Sequence, residues 1–595
     1  MCQGVVLQNR FLLLLATILL ATSLSVRADA QRSISAVELF DKMRGMWVGQ
    51  LIGNAAGQPT EGLFSSSSPD PAPSVPWQLK QIWDADDDTD IEYMALDILG
   101  TYGFDSNSCQ IAGQWLDHMT ADGIYVANKQ AWHLMLDGHV PPETGSRTYN
   151  EHWYSIDAQI GTEVLGAISP GLPQTASDLA GRFGQVTNSG FAVHAAQFYA
   201  AMYANAFFEP NNMVELVLKG LEAIPSSSRT SEVITDVLNW YLEDASDDEL
   251  DWRATRQKLY EKYQGAGSFG RHYNWVESTI NTGATVLALL YGEGDFKQTV
   301  QIAVLAGWDC DCNPATAGGL LGIVHGFSGL PRDLTDPTIC GNVYMNVHRP
   351  GLPDPTVGVP QYEAVTTIAL RTLVLAQENI LRNGGSYTSN GFMRLYLIPE
   401  CKLIIPDIEQ ADPIGPSGLV ARALAAGMTV TPTASIQRYN RNNDRYNLDS
   451  IIDGITDNSH NGHRPYYTYV SNPADRPEED WYELTFSRPV RFEKVTFHEG
   501  DVVWGKLNTY YREDEPAGGF FEDLTVQIFQ NGEYVEAADL RTSPPLDRFQ
   551  MYQTITFEFA PTIGEAIRII GTPGGSKHFT TILELEIEGD LLGGS

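Results

Sequence analysis

The sequence predicts a multidomain protein in which an all-α bundle is followed by a C-terminal antiparallel β-sandwich. Between residues 36 and 330, apolar and small side chains recur at helical spacing, and the segments have the lengths expected of a compact bundle. From about residue 431 the periodicity changes to short alternating runs separated by turns, which is typical of a sandwich. At 595 residues the chain is also too long for one typical domain.

The first helix of the predicted bundle runs from about residue 36 to residue 58. Glycines at positions 45, 49, 53 and 57 recur at every fourth residue, so they line one flat face of this helix. Helical geometry is disfavoured in the residue before a proline, so the helix should end before Pro59. This places Glu61 at the mouth of the helix end.

The first of two acidic stretches covers residues 84–92. Its carboxylates on Asp86, Asp87, Asp88 and Asp90 repel one another unless a cation lies between them. Apolar residues further along recur at helical spacing and predict a helix that begins near Asp88. The helix N-terminus stabilises each negative group by only about 0.3–1 kcal/mol. Hard carboxylate oxygens suit Mg²⁺, Mn²⁺ or Ca²⁺, so the stretch is a candidate metal site.

The second acidic stretch covers residues 307–314. Asp309 and Asp311 are two residues apart, so an extended backbone would point both side chains to one side. Asn313 is predicted to cap a helix, and Pro314 fits its first turn. Taken alone, either stretch is equally compatible with an ordinary helix cap and an acidic first turn. Together with the glycine-lined helix, they favour a site in which folding brings both stretches around one or two divalent cations.

These three blocks, in this order and at this spacing, resemble the ADP-ribosylglycohydrolase family, which includes the dinitrogenase-reductase-activating glycohydrolases. The family pattern is a glycine-rich first helix ending in Glu, then Thr-Asp-Asp-Thr, then Gly-Asp-Thr-Asp-Thr-Asn. The resemblance covers roughly residues 36 to 330. It implies hydrolysis of a glycosidic bond at a ribosyl anomeric carbon, with the sugar hydroxyls held by a divalent metal. Mg²⁺ is the first expectation, and Mn²⁺ or Ca²⁺ are the alternatives.

The resemblance also implies roles for individual residues. Glu61, Asp87 and Asp311 are implied to be catalytic, with Glu61 as a general base or as a ligand that moves during turnover. Glu92 lies one helical turn after Asp88 and is a candidate for contacts behind the ligands. The implied metal ligands are Asp86, Asp87, Asp88, Asp309, Asp311 and Cys312.

The sequence departs from the family pattern at several positions. Asp86 stands where Thr is usual and adds a negative charge, and Asn54 replaces an Asp of the first helix. Cys310 and Cys312 replace the two Thr of the second acidic motif. Because a thiol is an unusual ligand for a hard cation, Cys312 should coordinate weakly or favour a softer ion. These departures indicate a divergent branch and leave the substrate open.

A segment rich in loops, residues 138–175, corresponds to the region that lies over the bound sugar in the family. Asp157 and Gln159 are its candidate substrate-binding residues. Loop polar groups that are satisfied inside the protein explain these two side chains equally well.

The C-terminal runs resemble galactose-binding-like (discoidin-type) modules. The resemblance lies in residues 451–454, in the strand at Trp481 and in the closing residues 584–587. It implies carbohydrate binding through end loops and, in some members, a structural Ca²⁺. Aromatic residues here either stack on sugar rings or form the core of the sandwich. They are Tyr466, Tyr467, Tyr469, Trp504 and Tyr510.

An N-terminal secretory signal is predicted over residues 1–30. Arg10 precedes an apolar run over residues 11–20, and an A-x-A cleavage motif follows at 28–30. The run is too short for a transmembrane helix and no other long apolar stretch follows, so a secreted or periplasmic protein without a membrane span is expected. The other predicted limits are 36–330 for the glycohydrolase domain, 331–430 for a linking subdomain and 431–592 for the β-sandwich.

The charge balance excludes some partners. The formal net charge is −36, from 38 Lys+Arg and 74 Asp+Glu. A chain with this negative charge is repelled by nucleic acid and by anionic membranes. Neither is therefore an expected partner.

The cysteines do not describe a disulfide-built scaffold. Removal of the predicted signal leaves an odd number of them, so at least one is free or paired between chains. Cys310 and Cys312 are too close in sequence for a relaxed disulfide. This leaves room for one bridge among Cys109, Cys340 and Cys401.

Two classes of function follow from the sequence. The first is a secreted glycohydrolase that acts on an ADP-ribosyl linkage or on an extracellular glycoside. The second is an inactive carbohydrate-binding surface protein that retains the fold. The sequence determines neither the bond and its stereochemistry, nor the identity and number of metal ions, nor the oligomeric state.

Overall fold

A computed structural model gives the structure of the chain over residues 32–592. Within this range the description omits residues 66, 70–74, 76, 85, 210–211, 247–249, 265–274, 347–361, 391–392, 400–415, 437–447, 455, 457–465, 471, 501, 503–515, 548–549 and 551. The predicted signal over residues 1–30, together with Cys401, Trp504 and Tyr510, lies outside the described residues.

Helices dominate the described residues up to position 398. Several begin at a side-chain cap; in the first helix, for example, Ser35 Oγ accepts a hydrogen bond from the Glu38 amide at 3.1 Å. The helices are α1 (Ala36–Gly57), α2 (Asp87–Tyr102), α3 (Ser108–His118), α4 (Val126–Leu136), α5 (Asp157–Ile160), α6 (Glu163–Ala167), α7 (Pro173–Gly184), α8 (Gly190–Ala206), α9 (Met213–Leu221), α10 (Arg229–Ser246), α11 (Trp252–Tyr263), α12 (Ser278–Tyr291), α13 (Phe296–Ala306), α14 (Cys312–His325), α15 (Arg332–Thr335) and α16 (Val365–Arg382).

Two small sheets lie at the edges of this helical region. Their strands are β1 (Arg32–Ser35), β2 (Ile82–Asp84), β3 (Val343–Met345), β4 (Tyr362–Ala364), β5 (Ser386–Asn390) and β6 (Met393–Ile398). One sheet has the order β1-β6-β5 and is antiparallel throughout. The other has the order β2-β3-β4, with β2 parallel to β3. These short strands were not expected within the all-α prediction.

The centre of the helical region is the antiparallel pair of α1 and α14. The glycine face of α1 lies directly against the backbone of α14, so that a Cβ added at any of these glycines would lie 1.8–2.2 Å from a carbonyl oxygen. The pairs in contact are Gly45 with Gly322, Gly49 with Gly318, Gly53 with Pro314 and Gly57 with Cys310. As the residue numbers of the contacting pairs increase along α1, they decrease along α14, so the end of α1 meets the beginning of α14.

The strands and helix that follow α15 pack onto the same core. The Trp47 indole N–H of α1 donates to Thr372 Oγ1 of α16 at 3.0 Å. Ile368 and Ile380 of α16, and Tyr396 of β6, belong to the apolar core of the bundle. The described strands and helix between residues 343 and 398 therefore contribute to the core of the bundle, and the limits 331–430 of a linking subdomain stay a prediction.

The C-terminal domain is an antiparallel β-sandwich, as predicted. One short helix, α17 (Gly418–Ala425), precedes its strands. The strands are β7 (Val430–Ala434), β8 (Tyr466–Tyr467), β9 (Asp480–Glu499), β10 (Thr525–Gln530), β11 (Glu533–Glu536), β12 (Arg541–Ser543), β13 (Thr554–Gly571) and β14 (Thr581–Leu591). Every pairing among them is antiparallel.

Two long strands, β9 and β13, run through both layers of the sandwich. The first half of β9 and the second half of β13 lie between β7 on one side and β10-β11 on the other. Their other halves lie between β14-β8 and β12. Register shifts between Glu558 and Thr562 and between Gly564 and Ala566 divide β13 between the two layers, because a bulge bends a strand. The enclosed core is separate from that of the bundle.

Two sequence expectations concern the whole chain. Among the described residues, no helix has the length and apolar character that a bilayer crossing requires. The described cysteines Cys109, Cys310, Cys312 and Cys340 are free thiols, so Cys109 and Cys340 do not pair with each other.

Candidate active site and metal centre

The candidate site lies where the end of α1 meets the first turns of α2 and α14. Asp86 is the N-cap of α2, and its Oδ1 accepts a hydrogen bond from the Asp87 amide at 2.9 Å. Asp311 is the N-cap of α14, and its Oδ1 accepts from the Cys312 amide at 3.0 Å. Two helix N-termini therefore carry the acidic groups, and each favours negative charge at its first turn.

The two acidic stretches meet, as the sequence predicted. Burial, together with the neighbouring carboxylates of Asp86, Asp88, Asp157 and Asp309, holds the pKa of Asp87 well above its usual range. Partial burial, followed by the charges of Asp309 and Asp86, raises the pKa of Glu61 to about 7. Carboxylates perturb one another in this way only when they lie close together, so residues far apart in the sequence form a single site.

The second stretch offers three ligand atoms to a metal ion. One ligand atom each from Asp309, Asp311 and Cys312 lies within 4.8 Å of the other two, and all three side chains are buried. Burial is the main cause that raises the pKa of Asp309. The nearby charge of Asp86 adds to this effect, and the contact with the Cys312 thiol opposes it. Burial, followed by the charges of Asp309 and Asp86, holds the pKa of Asp311 well above its usual range.

The donor set fits a divalent cation. Asp88 Oδ2 and Asp311 Oδ2 are buried, and neither has a hydrogen-bond partner among the described residues. A buried polar atom without a partner is rare and costly, and buried carboxylates close together need either protons or a cation. A divalent ion beside Asp311 would satisfy its Oδ2 and reduce the repulsion among the carboxylates, and metal binding to such a site releases the protons that otherwise compensate the charge.

The loop before α14 is shaped differently from the sequence prediction. The backbone of residues 307–311 is not extended, because Gly307 and Trp308 have positive φ angles of 93° and 61°. The cap of α14 is Asp311, and the predicted cap Asn313 lies inside the first turn. Asp309 and Asp311 still converge because the turn, rather than an extended strand, brings them together.

An amide network that the sequence did not indicate holds this loop in place. Asn281 Oδ1 of α12 accepts hydrogen bonds from the Asp309 amide at 3.1 Å and from Asn313 Nδ2 at 2.8 Å. Thr285 Oγ1 donates to Asn313 Oδ1 at 2.9 Å. No local signal in the sequence links Asn281 to Asp309.

Arg256 of α11 joins the loop of Glu61 to the chain that carries Asp309. Its guanidinium donates to the carbonyl oxygens of Phe64 at 2.8 Å, Ser65 at 3.1 Å and Ala306 at 3.1 Å. The same group lies 4.0 Å above the ring of the buried Trp308. Burial lowers the pKa of Arg256 to about 10, which leaves the side chain charged at neutral pH.

Replacing Arg256 by methionine is expected to loosen both segments at once. Three buried carbonyl acceptors lose a charged donor, which costs about 3 kcal/mol of unfolding free energy and weakens Mn²⁺ binding. Arg253→Met is the matched control, because Arg253 lies on the same helix and 4.2 Å over Trp252. It should cost about 0.5–1 kcal/mol. Denaturant melts and Mn²⁺ titrations of both variants test this, and equal losses would contradict it.

Asp157 and Gln159 lie on α5 with their side chains inside the bundle. Asp157 accepts hydrogen bonds from the Asn128 amide at 2.8 Å and from the Ser155 hydroxyl. Gln159 donates to Thr316 Oγ1 at 3.4 Å and accepts from Thr282 Oγ1 at 3.3 Å. Asp157 also acts electrostatically on Asp87, so it belongs to the surroundings of the site. Direct contact with substrate remains a prediction for both residues.

Glu92 lies behind the candidate ligands, in contact with a second buried carboxyl group, that of Glu163. Glu92 Oε1 accepts from the Val164 amide at 2.8 Å, and Glu163 Oε1 accepts from Thr316 Oγ1 at 2.5 Å. Each of the two carboxyl groups has one buried oxygen, Glu92 Oε2 and Glu163 Oε2, without a hydrogen-bond partner among the described residues. Burial and the charge of Glu163 hold the pKa of Glu92 well above its usual range. The pair connects α2, α6 and α14 one turn below the site.

The stability of the metal-free protein is expected to fall between pH 6.5 and pH 8. Burial is the first cause that raises the pKa of Glu61 to about 7, Glu277 to about 7 and Asp157 to about 6. A carboxyl with a raised folded-state pKa stabilises the fold at low pH, and this contribution is lost as pH rises through that value. Buried His194, with its pKa lowered to about 4, acts in the opposite direction only below its unfolded pKa.

Melting temperatures in EDTA at pH 6.5, 7.2 and 8 measure this effect. Saturating Mn²⁺ should flatten the curve, because the cation replaces the protons at the acidic site. A melting temperature that rises with pH in EDTA would contradict the expectation.

Three of the candidate sugar-stacking aromatics, Tyr466, Tyr467 and Tyr469, lie in the described part of the sandwich. Tyr466 and Tyr467 of β8 are only 1% and 7% exposed, so these two belong to the interior and the stacking hypothesis is wrong for them. Tyr466 donates its hydroxyl to the Ile436 carbonyl at 2.5 Å. Tyr469 is half-buried, with its ring 5.3 Å from that of Phe579. β8 is the end strand of the described sheet, and aromatic neighbours cover both rings, with Tyr482 beside Tyr466 and Phe579 beside Tyr467.

One buried acid is consistent with the structural Ca²⁺ predicted for the sandwich. Burial and the charge of Asp453 raise the pKa of Glu584 to about 9, and Glu584 Oε2 has no hydrogen-bond partner among the described residues. A cation between Asp453 and Glu584 would satisfy this oxygen. The ion itself remains a prediction.

The fold and the acidic centre together define a glycohydrolase-type protein. The model of the ADP-ribosylglycohydrolase family matches residues 35–342, slightly more than half of the chain. The chain belongs to this family. The family assignment confirms the resemblance that the glycine-lined helix and the two acidic stretches indicated. Among curated proteins, none matches the chain.

Solved structures are similar to each part of the chain. An ADP-ribosylglycohydrolase-related protein complex is 16% identical with a TM-score of 0.37, and the match covers 58% of this chain and 99% of that one. A structure of the β-galactosidase BgaA of Streptococcus pneumoniae is 11% identical with a TM-score of 0.21, and the match covers 27% of this chain and 98% of that one. A family 32 carbohydrate-binding module from Clostridium perfringens NanJ, in complex with galactose, is 16% identical with a TM-score of 0.19. This match covers 27% of this chain and 92% of that one.

Proposed function

We propose that this protein is a secreted, metal-dependent glycohydrolase that cleaves an ADP-ribosyl linkage or an extracellular glycoside. The observation that supports this most directly is the convergence of Asp87 and Asp88 with Asp309 and Asp311, with buried oxygens that have no partner among the described residues. An ordinary pair of helix caps would not leave buried carboxylate oxygens unsatisfied. The arrangement suits a site that is completed by a cation and a substrate.

The residues that would hold the cation come from both helix N-termini. Asp86, Asp87 and Asp88 approach from α2, and Asp309, Asp311 and Cys312 approach from the start of α14. When bound, a divalent cation orients sugar hydroxyls and stabilises negative charge that develops on oxygen.

Glu61 supplies the proton chemistry of the proposed reaction. It is exposed at the end of α1, and its pKa of about 7 places it near half-protonation at neutral pH. A general base is most effective when its pKa lies near the working pH, so Glu61 can accept a proton from attacking water. The negative side chains around it stabilise the oxocarbenium character of a glycosidic transition state.

The C-terminal sandwich is proposed to bind carbohydrate and keep the enzyme at a glycan surface. The predicted signal over residues 1–30 supports export, because it combines Arg10, an apolar run and an A-x-A motif. Export in turn favours a glycoside among the two substrate classes, since ADP-ribosylated proteins are mainly intracellular. The net charge of −36 disfavours polyanionic partners such as nucleic acid.

A substrate screen with purified protein tests the proposal. ADP-ribosyl-arginine, ADP-ribosyl-serine and a panel of polysaccharides are incubated with Mg²⁺, Mn²⁺ or Ca²⁺, and release of sugar or ADP-ribose is measured. Metal-dependent release that is lost in Asp87→Ala, with the fold intact by circular dichroism, supports the proposal. Polysaccharide binding by both proteins without any hydrolysis would instead identify the inactive carbohydrate-binding alternative.

A further inference from the structure

The candidate metal centre contains a thiol at a position where a hard cation would use oxygen. The thiol is Cys312, the first residue of α14, which is 5% exposed. One ligand atom each from Asp309, Asp311 and Cys312 lies within 4.8 Å of the other two. A tetrahedral cation at about 2.0 Å from oxygen and about 2.3 Å from sulfur holds its ligand atoms about 3.3–3.5 Å apart, so the three side chains have to move closer together for one ion to touch all three.

A second observation points to a ligand at this position. Asp311 is 1% exposed, and its Oδ2 has no hydrogen-bond partner among the described residues, while its Oδ1 is occupied by the Cys312 amide. The free oxygen and the Cys312 sulfur therefore belong to one short segment. The thiol contacts the Asp309 carboxylate, so its sulfur lies on the acidic side of the segment.

The other side of Cys312 is apolar. Its side chain packs in a small cluster with Val126, Ile156, Ile160 and Val276. This apolar wall offers no polar partner to a water molecule next to the sulfur. Mg²⁺ gives up its water reluctantly and usually keeps several molecules, whereas Zn²⁺ accepts four protein ligands in a closed tetrahedral site. The apolar surroundings and the sulfur ligand therefore both favour Zn²⁺ over Mg²⁺.

We propose that Cys312 binds the cation as a thiolate beside Asp309 and Asp311, so that this position takes a borderline ion of the Zn²⁺ or Co²⁺ class in preference to Mg²⁺ or Ca²⁺. Thiolate ligands select such ions, while carboxylates alone suit Mg²⁺ and Ca²⁺. On binding, the S–H bond breaks, its proton passes to solvent and a sulfur–metal bond forms, with no change in oxidation state. The inference rests on the metal centre of the proposed function and specifies its cofactor.

The test uses Co²⁺ as the probe, added anaerobically to the full-length protein without thiol reductants. Wild type should show a near-ultraviolet absorption band from sulfur-to-cobalt charge transfer, and Cys312→Ser should lose that band. Cys310→Ser is the matched control, because Cys310 is also a buried thiol but its sulfur lies 3.4 Å from Thr60 Oγ1 on the α1 side. This variant should keep the band.

Competition gives a second readout that needs no variant. Zn²⁺ at stoichiometric concentration should remove the cobalt band from wild type, and a large excess of Mg²⁺ should leave it. Cobalt that binds and raises the melting temperature without a charge-transfer band would overturn the thiolate proposal while leaving the metal centre intact. If neither Co²⁺, Zn²⁺, Mn²⁺ nor Mg²⁺ binds wild type, the proposed function itself fails together with the inference.

Discussion

Replacing Asp311 by asparagine is expected to reduce hydrolase activity roughly thousandfold, because a bound cation contributes several kcal/mol of transition-state stabilisation. The same change should make the metal-free protein more stable. Asparagine keeps the shape of the side chain and its cap on the Cys312 amide, but removes one negative charge from a buried group of like charges. A gain of about 1 kcal/mol corresponds to a melting temperature about 2–4 °C higher.

The opposite signs of these two effects make the experiment specific. Activity, the melting temperature in EDTA and the shift caused by Mn²⁺ are measured for both proteins. Asp117→Asn, an equal change of charge on the exposed side of α3, is the control and should leave all three values unchanged. An Asp311→Asn protein that is less stable without metal would show that Asp311 is a structural acid, and not a member of a repulsive cluster.

Replacing Gly53 by alanine is expected to cost more than about 3 kcal/mol and to dismantle the metal centre. The new Cβ would lie 2.1 Å from the Pro314 carbonyl oxygen and 2.9 Å from the Ala315 nitrogen. Both obstacles are backbone atoms in the first two turns of α14, so the helix as a whole has to move away. The displacement carries Asp311 away from Asp87.

The control for this prediction is Gly100→Ala. Gly100 is an exposed residue of α2 with no atom within 4 Å of an added Cβ. The substitution should stabilise the protein by about 0.5–1 kcal/mol, because alanine is the better helix former. Urea melts of both variants measure the difference, and a Gly53→Ala protein as stable as wild type would contradict the close contact of α1 and α14.

Much of the architecture could be predicted from local pattern. The glycines at every fourth position predicted a helix with one flat face, and α1 has that face against α14. The predicted helix start near Asp88 lies one residue from the start of α2. The alternating runs after residue 431 correspond to the strands of the sandwich. These features depend on spacing along one segment, which a sequence displays directly.

The surroundings of the site were harder to predict, because they depend on side chains from distant segments. Asn281 and Arg256 hold the loop of Glu61 and the segment that carries Asp309 in place, yet neither belongs to a motif. The positive φ of Trp308 replaced the expected extended backbone with a turn. Likewise, Tyr466 looked available for sugar stacking, but its ring packs beside that of Tyr482 in the interior of the sandwich.

The sequence by itself determined the helical and sandwich classes, the acidic ligand candidates and the family, because each is written in the spacing of neighbouring residues. Only the tertiary structure decided that Gly57 meets Cys310, and hence that Glu61, Asp87 and Asp311 share one site. The physical reason is the antiparallel packing of α1 on α14, whose register is set by backbone contact at four glycines rather than by any local preference.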